Sequence, residues 1–300
     1  MFSNYHDVIV VGGGHAGCEA AAAAANLGKK VLLITMNMQT IGQMSCNPAM
    51  GGIAKGQIIR EIDALGGYSG IITDKTMIQY KMLNKSKGPA MWSPRAQNDR
   101  MEFAAEWRFQ LENIPNIDFW QDMVVDLIIE NNKIHGVVTA LGMSIKSKCV
   151  ILTNGTFLNG LIHVGKKNFQ GGRSGEKSSK GISESLKKAG FITGRMKTGT
   201  PPRIDGRTIN YDLLEKDSGD KTPQTFSFLN KSSLKNQVSC YMCYTNKKVH
   251  EILKAGFKNS PLFDGSIQGA GPRYCPSIED KITRFEDKER HQIFIEPEGR

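Results

Sequence analysis

The feature that most constrains this chain is a glycine run, Gly12-Gly-Gly-His-Ala-Gly17, held between two short apolar segments. Asp7-Val-Ile-Val-Val11 is β-branched and reads as a strand. An alanine-rich stretch follows through Asn26 and Leu27, reads as a helix, and stops at Gly28. Val31-Leu-Leu-Ile-Thr35 is the next strand. The whole is a βαβ unit of about 30 residues with G-x-G-x-x-G at its first turn, the context in which that spacing carries meaning. Gly12 permits the tight turn, Gly14 lets a pyrophosphate reach the backbone, and Gly17 lets helix pack closely on strand. With Gly13, His15 and Ala16, these residues offer an anion free N–H groups and the positive end of a helix dipole. One departure stands at the end of the second strand. No carboxylate is there to hold ribose hydroxyls; Thr35 and Asn37 take its place and offer only uncharged hydrogen bonds. That counts more against a plain NAD site than against a dinucleotide site.

Downstream, Ile53 to Leu65 has helical spacing. Lys87-Gly-Pro-Ala-Met-Trp-Ser-Pro-Arg95 reads as loop from its glycine and two prolines, and Ala96 to Glu112 as an amphipathic helix. Short strands come next: Ile117 to Trp120, Val124 to Glu130, a turn at Asn131-Asn132, and Ile134 to Thr139. Ser144 to Lys148 then leads into the apolar Cys149-Val-Ile-Leu-Thr-Asn-Gly155. A β-meander that returns to an apolar strand ending in Thr-x-Gly is similar to the pattern of two-dinucleotide-binding flavoproteins. The expected cofactor is therefore FAD rather than NAD. Glu184 to Ala189 closes another helix at Gly190, and from about Gly206 the texture turns polar with scattered aromatics. The expected fold class is α/β. A two-dinucleotide-binding-type FAD domain, a parallel sheet with a β-meander, covers residues 1–205, and part of an inserted NAD-binding-like domain covers 206–300.

A hydrophobic fraction of 39% and a charged fraction of 23% describe an ordinary globular chain. No apolar run approaches the roughly 20 residues that span a bilayer. The N-terminus has no basic region ahead of its first apolar strand, so the chain reads as cytoplasmic and not membrane-bound. Six cysteines in 300 residues are not a disulfide framework. The net charge of +10 is concentrated: residues 166–203 carry ten Lys/Arg against two Asp/Glu. That stretch also holds Gly171-Gly-Arg-Ser-Gly175 and Lys197-Thr-Gly-Thr-Pro-Pro-Arg203. Positive charge on turn-rich sequence is what a phosphate backbone needs, which makes Lys166, Lys167, Arg173, Lys197 and Arg203 candidate nucleic-acid contacts. The competing account is a solvated lysine-rich surface.

The cysteines sort by context. Cys46 lies in Gly42-Gln-Met-Ser-Cys-Asn-Pro-Ala-Met-Gly-Gly52, a Gly/Pro-punctuated loop close behind the dinucleotide unit, where a thiol is exposed and positionable. Cys275 lies on a second such loop, Gly269 to Lys281, beside Arg273 and Lys281, cations that favour thiolate. Cys18, on the alanine-rich helix, and Cys149, opening an apolar strand, read as packing residues. Cys240 and Cys243 form a lone C-x-x-C near His250, too few ligands for zinc, and no metal is expected.

Gly12 to Gly17 and Gly42 to Gly52 together resemble the MnmG (GidA) family, the flavoproteins of tRNA uridine-5-carboxymethylaminomethyl modification. So do Lys87-Gly-Pro-Ala90, Arg95-Ala-Gln97, Gly155-Thr-Phe157, Lys197 to Arg203 and Gly271 to Lys281. The resemblance runs from residue 7 to residue 300. It implies an enzyme that works with the GTPase MnmE at C5 of the tRNA wobble uridine, using FAD, NADH as reductant and a folate one-carbon donor. It further implies a homodimer. Carried over by position, Gly12 to Gly17 would hold the FAD pyrophosphate, with Thr35 nearby and Val125 on the adenine side. Gly271, Pro272, Arg273 and Tyr274 open the segment that the family assigns to NADH. Cys46 and Cys275 match the two cysteines that the family treats as important for activity. A thiolate adding to uracil C6 makes C5 carbanion-like; Cys275 is the expected nucleophile and Cys46 the proton-transfer or redox partner.

Members of that family are longer chains. The resemblance implies that a final FAD-covering segment and a helical C-terminal domain, used for MnmE and much of the tRNA contact, fall outside these residues. Residues 1–300 alone are then expected to bind FAD weakly or not at all and to lack modification activity. The alternatives are the folate- and FAD-dependent tRNA uridine methyltransferase, a non-catalytic tRNA-binding fragment, and an NADH-dependent thiol oxidoreductase.

Overall fold

The computed structural model describes residues 5–231, 234–267 and 277–300. Its first unit is the βαβ element read from the glycines: β1 (Tyr5–Val11), α1 (His15–Asn26) and β2 (Val31–Thr35), with β1 and β2 paired in parallel. A smaller layer follows, made of β3 (Ala49–Gly51), α2 (Lys55–Ala64), α3 (Ser69–Thr76), β4 (Met77–Leu83), β5 (Ser93–Asn98) and α4 (Arg100–Glu112). The chain then returns to the main sheet with β6 (Ile117–Gln121), β7 (Val124–Glu130), β8 (Lys133–Thr139) and β9 (Ser144–Leu152). The main sheet has the order β6-β2-β1-β9-β8-β7. Its first four strands are parallel; β7, β8 and β9 form the antiparallel meander, turned at Asn131 and Asn132, both at positive φ.

Strand alternation divides β1 between two cores. Val8 and Val10 face α1 and α4, packing with Ala21, Ala22, Ala25, Phe103, Trp107 and Leu111. Ile9 and Val11 face the meander side with Leu32, Ile34, Val137, Ile145 and Ile182. The alanines matter because helix and sheet approach closely. A Cβ at Gly17 would stand 1.8 Å from the Gly12 carbonyl oxygen, so only glycine lets α1 start where it does.

After the meander come the hairpin β10 (Leu161–Val164) and β11 (Lys167–Gln170), then α5 (Ile182–Lys188). The rest is β12 (Glu215–Asp217), β13 (Cys240–Tyr244), α6 (Lys247–Gly256), α7 (Ile278–Arg284) and β14 (Gln292–Ile295). β12, β13 and β14 form an antiparallel sheet. The polar stretch beyond Gly206 also packs on the smaller layer: Phe226 is fully buried against Tyr80, Met82 and Ala96.

Two element expectations need correction. Ser93 to Arg95, read as loop, and Ala96 to Asn98, read as helix, together form β5, which pairs with both β3 and β4. The helix begins at Arg100, capped by Asp99, whose carboxylate accepts from the Met101 and Glu102 N–H groups at 3.0 and 3.1 Å. Cys149 is exposed rather than packed, whereas Cys18 is buried.

Candidate functional site

The C-terminal edge of the parallel strands carries the glycine turn, as open α/β sheets require of a ligand crevice. At α1 the N-cap is Gly14, in extended conformation, with no side-chain cap and no acidic residue in the first turn. The first N–H groups of a twelve-residue helix are therefore not capped by a side chain. A Cβ at Gly14 would meet nothing within 4 Å, so the backbone there is open to a ligand. Beside it, Thr153 closes the turn by donating to the Val11 and Gly12 carbonyls at 2.9 and 3.0 Å. The neighbouring Asn154 Oδ1 is buried without a partner among the described residues. An open helix N-terminus and an open glycine at one strand edge fit the pyrophosphate end of a dinucleotide, while the Asn154 oxygen, an acceptor, suits a hydroxyl or N–H donor rather than a phosphate. Thr35 is buried at the end of β2 and its hydroxyl donates to the Asn37 carbonyl at 3.4 Å. Asn37 caps the following turn through the Gln39 N–H. Val125 stands in β7 at a register shift between Val124 and Asp126.

The loop that carries Cys46 is bonded directly to this turn. Gly42 N–H donates to the Gly13 carbonyl at 2.8 Å, and the His15 ring Nε2 meets the Gly42 carbonyl at 3.1 Å. Trp107, wholly buried, presses on the same point: a Cβ at Gly42 would lie 2.6 Å from that of Trp107. His15 also stands edge-on to Phe103, with ring centroids 5.4 Å apart. Burial holds its pKa below the ordinary 6.5, and the positive charge of Arg173 pushes the same way against the Gly42 hydrogen bond. The ring is therefore neutral at neutral pH and donates to Gly42. Cys18, behind the turn, is held as thiol near the Gly13 carbonyl; burial pushes its pKa to about 12.

Cys46 itself is exposed, and its Sγ lies 3.7 Å from the Gly199 carbonyl oxygen. Of the five candidate nucleic-acid cations, two sit on this loop. Arg173 donates to the side chains of Gln43 and Ser45 and pairs with Glu176 at 2.8 Å. Arg203 donates to the Ser45 and Cys46 carbonyls and pairs with Glu298 at 2.9 Å. Lys197 lies 4.0 Å from Asp280, while Lys166 and Lys167 are exposed at the β10–β11 turn. The Cys46 loop has a third support. Asn47 donates to Glu296, which also pairs with Arg95 at 2.7 Å, and Gln97 donates to Asn47 at 3.1 Å. Sequence reasoning missed Glu296 and Glu298, which lie some 250 positions from the loop; the only local signal was the rigid Pro-Pro-Arg203. Gly271, Pro272, Arg273, Tyr274 and Cys275 lie outside the described residues. Cys240 and Cys243, three apart on β13, point to opposite faces of the strand. No group of three or more His, Cys, Asp or Glu is placed to hold a metal ion among the described residues. Nor is any helix there long and apolar enough to cross a membrane.

Sheet order, meander and glycine turn define an α/β protein of the two-dinucleotide-binding type. The family model "Glucose inhibited division protein A" (GIDA) matches residues 7–300, and the chain belongs to that family. The tRNA uridine 5-carboxymethylaminomethyl modification enzyme MnmG of Flavobacterium johnsoniae is 67% identical over 300 residues, all of this chain and 48% of the relative. Its counterpart from Cytophaga hutchinsonii is 66% identical over the same span. The crystal structure of Aquifex aeolicus GidA superposes with a TM-score of 0.93 at 51% identity, covering 99% of this chain and 50% of that one. The chain spans about half the length of the curated relatives it matches.

Proposed function

We propose that this chain is the cofactor-binding, thiol-bearing half of an FAD-dependent enzyme that modifies C5 of the tRNA wobble uridine. The observation that carries this reading is the direct bonding of the Cys46 loop to the glycine turn through Gly42, Gly13 and His15. It is supported by relatives named as tRNA uridine modification enzymes at up to 67% identity across the whole chain. The N-terminus of α1 and Gly14 would hold the FAD pyrophosphate, and a bound flavin would supply redox chemistry beside the loop. His15, neutral, keeps the loop seated; Cys46 presents a thiol for proton transfer or redox exchange, with Cys275 as the nucleophile toward uracil C6. NADH is the reductant, a folate the carbon donor, and a GTPase of the MnmE type and a second copy of the chain are the partners. In cells lacking the gene, mass spectrometry of wobble uridines should show the modification lost, restored by the gene, and not restored by its Cys46→Ser or Cys275→Ser forms. Restoration by both variants would overturn the assignment of the thiols. If loss of the gene leaves the wobble uridines modified as before, the enzyme does not make that modification and the whole reading falls.

A further inference from the structure

The geometry points to Arg203 as a positioning residue for Cys46, anchored by Glu298 and acting through the strap 197–203. This rests on the reading that Cys46 takes part in the reaction. The strap is held on the thiol-bearing loop by three contacts. Its Gly199 carbonyl oxygen lies 3.7 Å from Sγ; its Arg203 guanidinium donates to the carbonyls of Ser45 and Cys46 and to its own Pro201 carbonyl at 3.0 Å. The third is the carboxylate of Glu298, 2.9 Å from Nε, which also pairs with Arg100 at 3.1 Å at the start of α4. A guanidinium presents five donors in a fixed plane, so one side chain can hold two loop carbonyls and a carboxylate at once; an ammonium cannot reproduce that fork. The Arg203 side chain is 38% exposed, and four of its five N–H donors are taken by Glu298, Pro201, Ser45 and Cys46, which leaves little for a phosphate. On this proposal Arg203, expected from the sequence to contact a nucleic-acid backbone, serves instead as a seat for the peptide that bears the thiol.

The test is alkylation of each cysteine by iodoacetamide in the intact chain, followed site by site with peptide mass spectrometry. Cys149 is the exposed reference and Cys18 the buried one. Arg203→Ala frees the strap from Sγ and is expected to speed Cys46 alkylation several-fold, with Cys149 and Cys18 unchanged. Glu298→Gln gives a smaller rise, and Arg203→Lys falls between wild type and alanine. Amide exchange should quicken over residues 43–47 and not in β1 or β2. Unchanged Cys46 labelling, or a parallel rise at Cys18 that reports general loosening, overturns the proposal. These readouts need no turnover, so they stand or fall apart from the wobble-uridine assay that tests the thiol's role.

Discussion

His15 shows how one fingerprint residue links the cofactor turn to the thiol loop. A ring at this position could have been a solvent-facing helix residue; instead it is wedged between Gly42 and Phe103 and held neutral by burial. In the unfolded chain it takes its proton at the ordinary 6.5, while in the fold protonation waits for lower pH. As pH falls below 6.5 the unfolded state gains the proton first. The stability contributed by the neutral ring, complete above 6.5, is therefore lost as pH falls through the lowered folded value. His291 is shifted the same way, by burial and then by His250 and nearby lysines. Urea midpoints measured at about pH 7.5 and about pH 5.5 should fall less for His15→Gln than for the wild type, the difference arising in this window. His291 adds to the residual slope in the same direction. Equal slopes would show that the ring is not held as the structure places it.

At the scale of elements, the 225–230 segment is tied down by α3. The Asp74 carboxylate accepts from the Phe226 and Ser227 N–H groups at 2.6 and 3.0 Å and from the Asn230 side chain at 2.9 Å. These bonds seat Phe226 in the core of the smaller layer. Asp74→Ala leaves three donors without their acceptor, and the expected cost is about 1–3 kcal/mol in a denaturant titration. Truncating Phe226 to alanine costs about 3–5 kcal/mol by loss of packing. The sequence could not announce this layer. The strands of the main sheet were legible as short apolar runs, β1 running directly into the glycine turn. β4 and β5 carry Lys, Gln, Met and Pro; they pair with each other, β5 also with β3, and Gln79 of β4 donates to the Asp217 and Val238 carbonyls. Ala96 to Asn98 looked helical because the last three residues of β5 are too few to break the helical period that follows. The N-cap at Asp99 was the signal that marks the boundary. The glycine turn and Cys46 loop of the candidate site were likewise legible from local spacing. Its supports, Arg203 with Glu298 and Asn47 with Glu296, span long loops, and no local pattern carries such pairings.

For the whole molecule, the structure divides the basic stretch 166–203 into two populations with different consequences for a polyanion. Arg173 and Arg203 are spent on the Cys46 loop and on Glu176 and Glu298, and Lys197 lies near Asp280. Lys166 and Lys167 stand exposed at the tip of the β10–β11 hairpin, as do Lys187 and Lys188 at the end of α5. Polyanion binding is driven by release of counterions, so each cation that meets a phosphate adds about one unit to the slope of log K against log salt. On the proposed function, Lys166→Ala with Lys167→Ala should weaken tRNA retention and lower that slope by about one to two. Arg203→Ala should leave the slope nearly unchanged while altering Cys46 labelling. Filter binding of tRNA across a series of salt concentrations reads both at once. A slope that drops for Arg203→Ala and holds for the lysine pair would reverse the division, returning Arg203 to the phosphate backbone and leaving the hairpin as plain solvated surface.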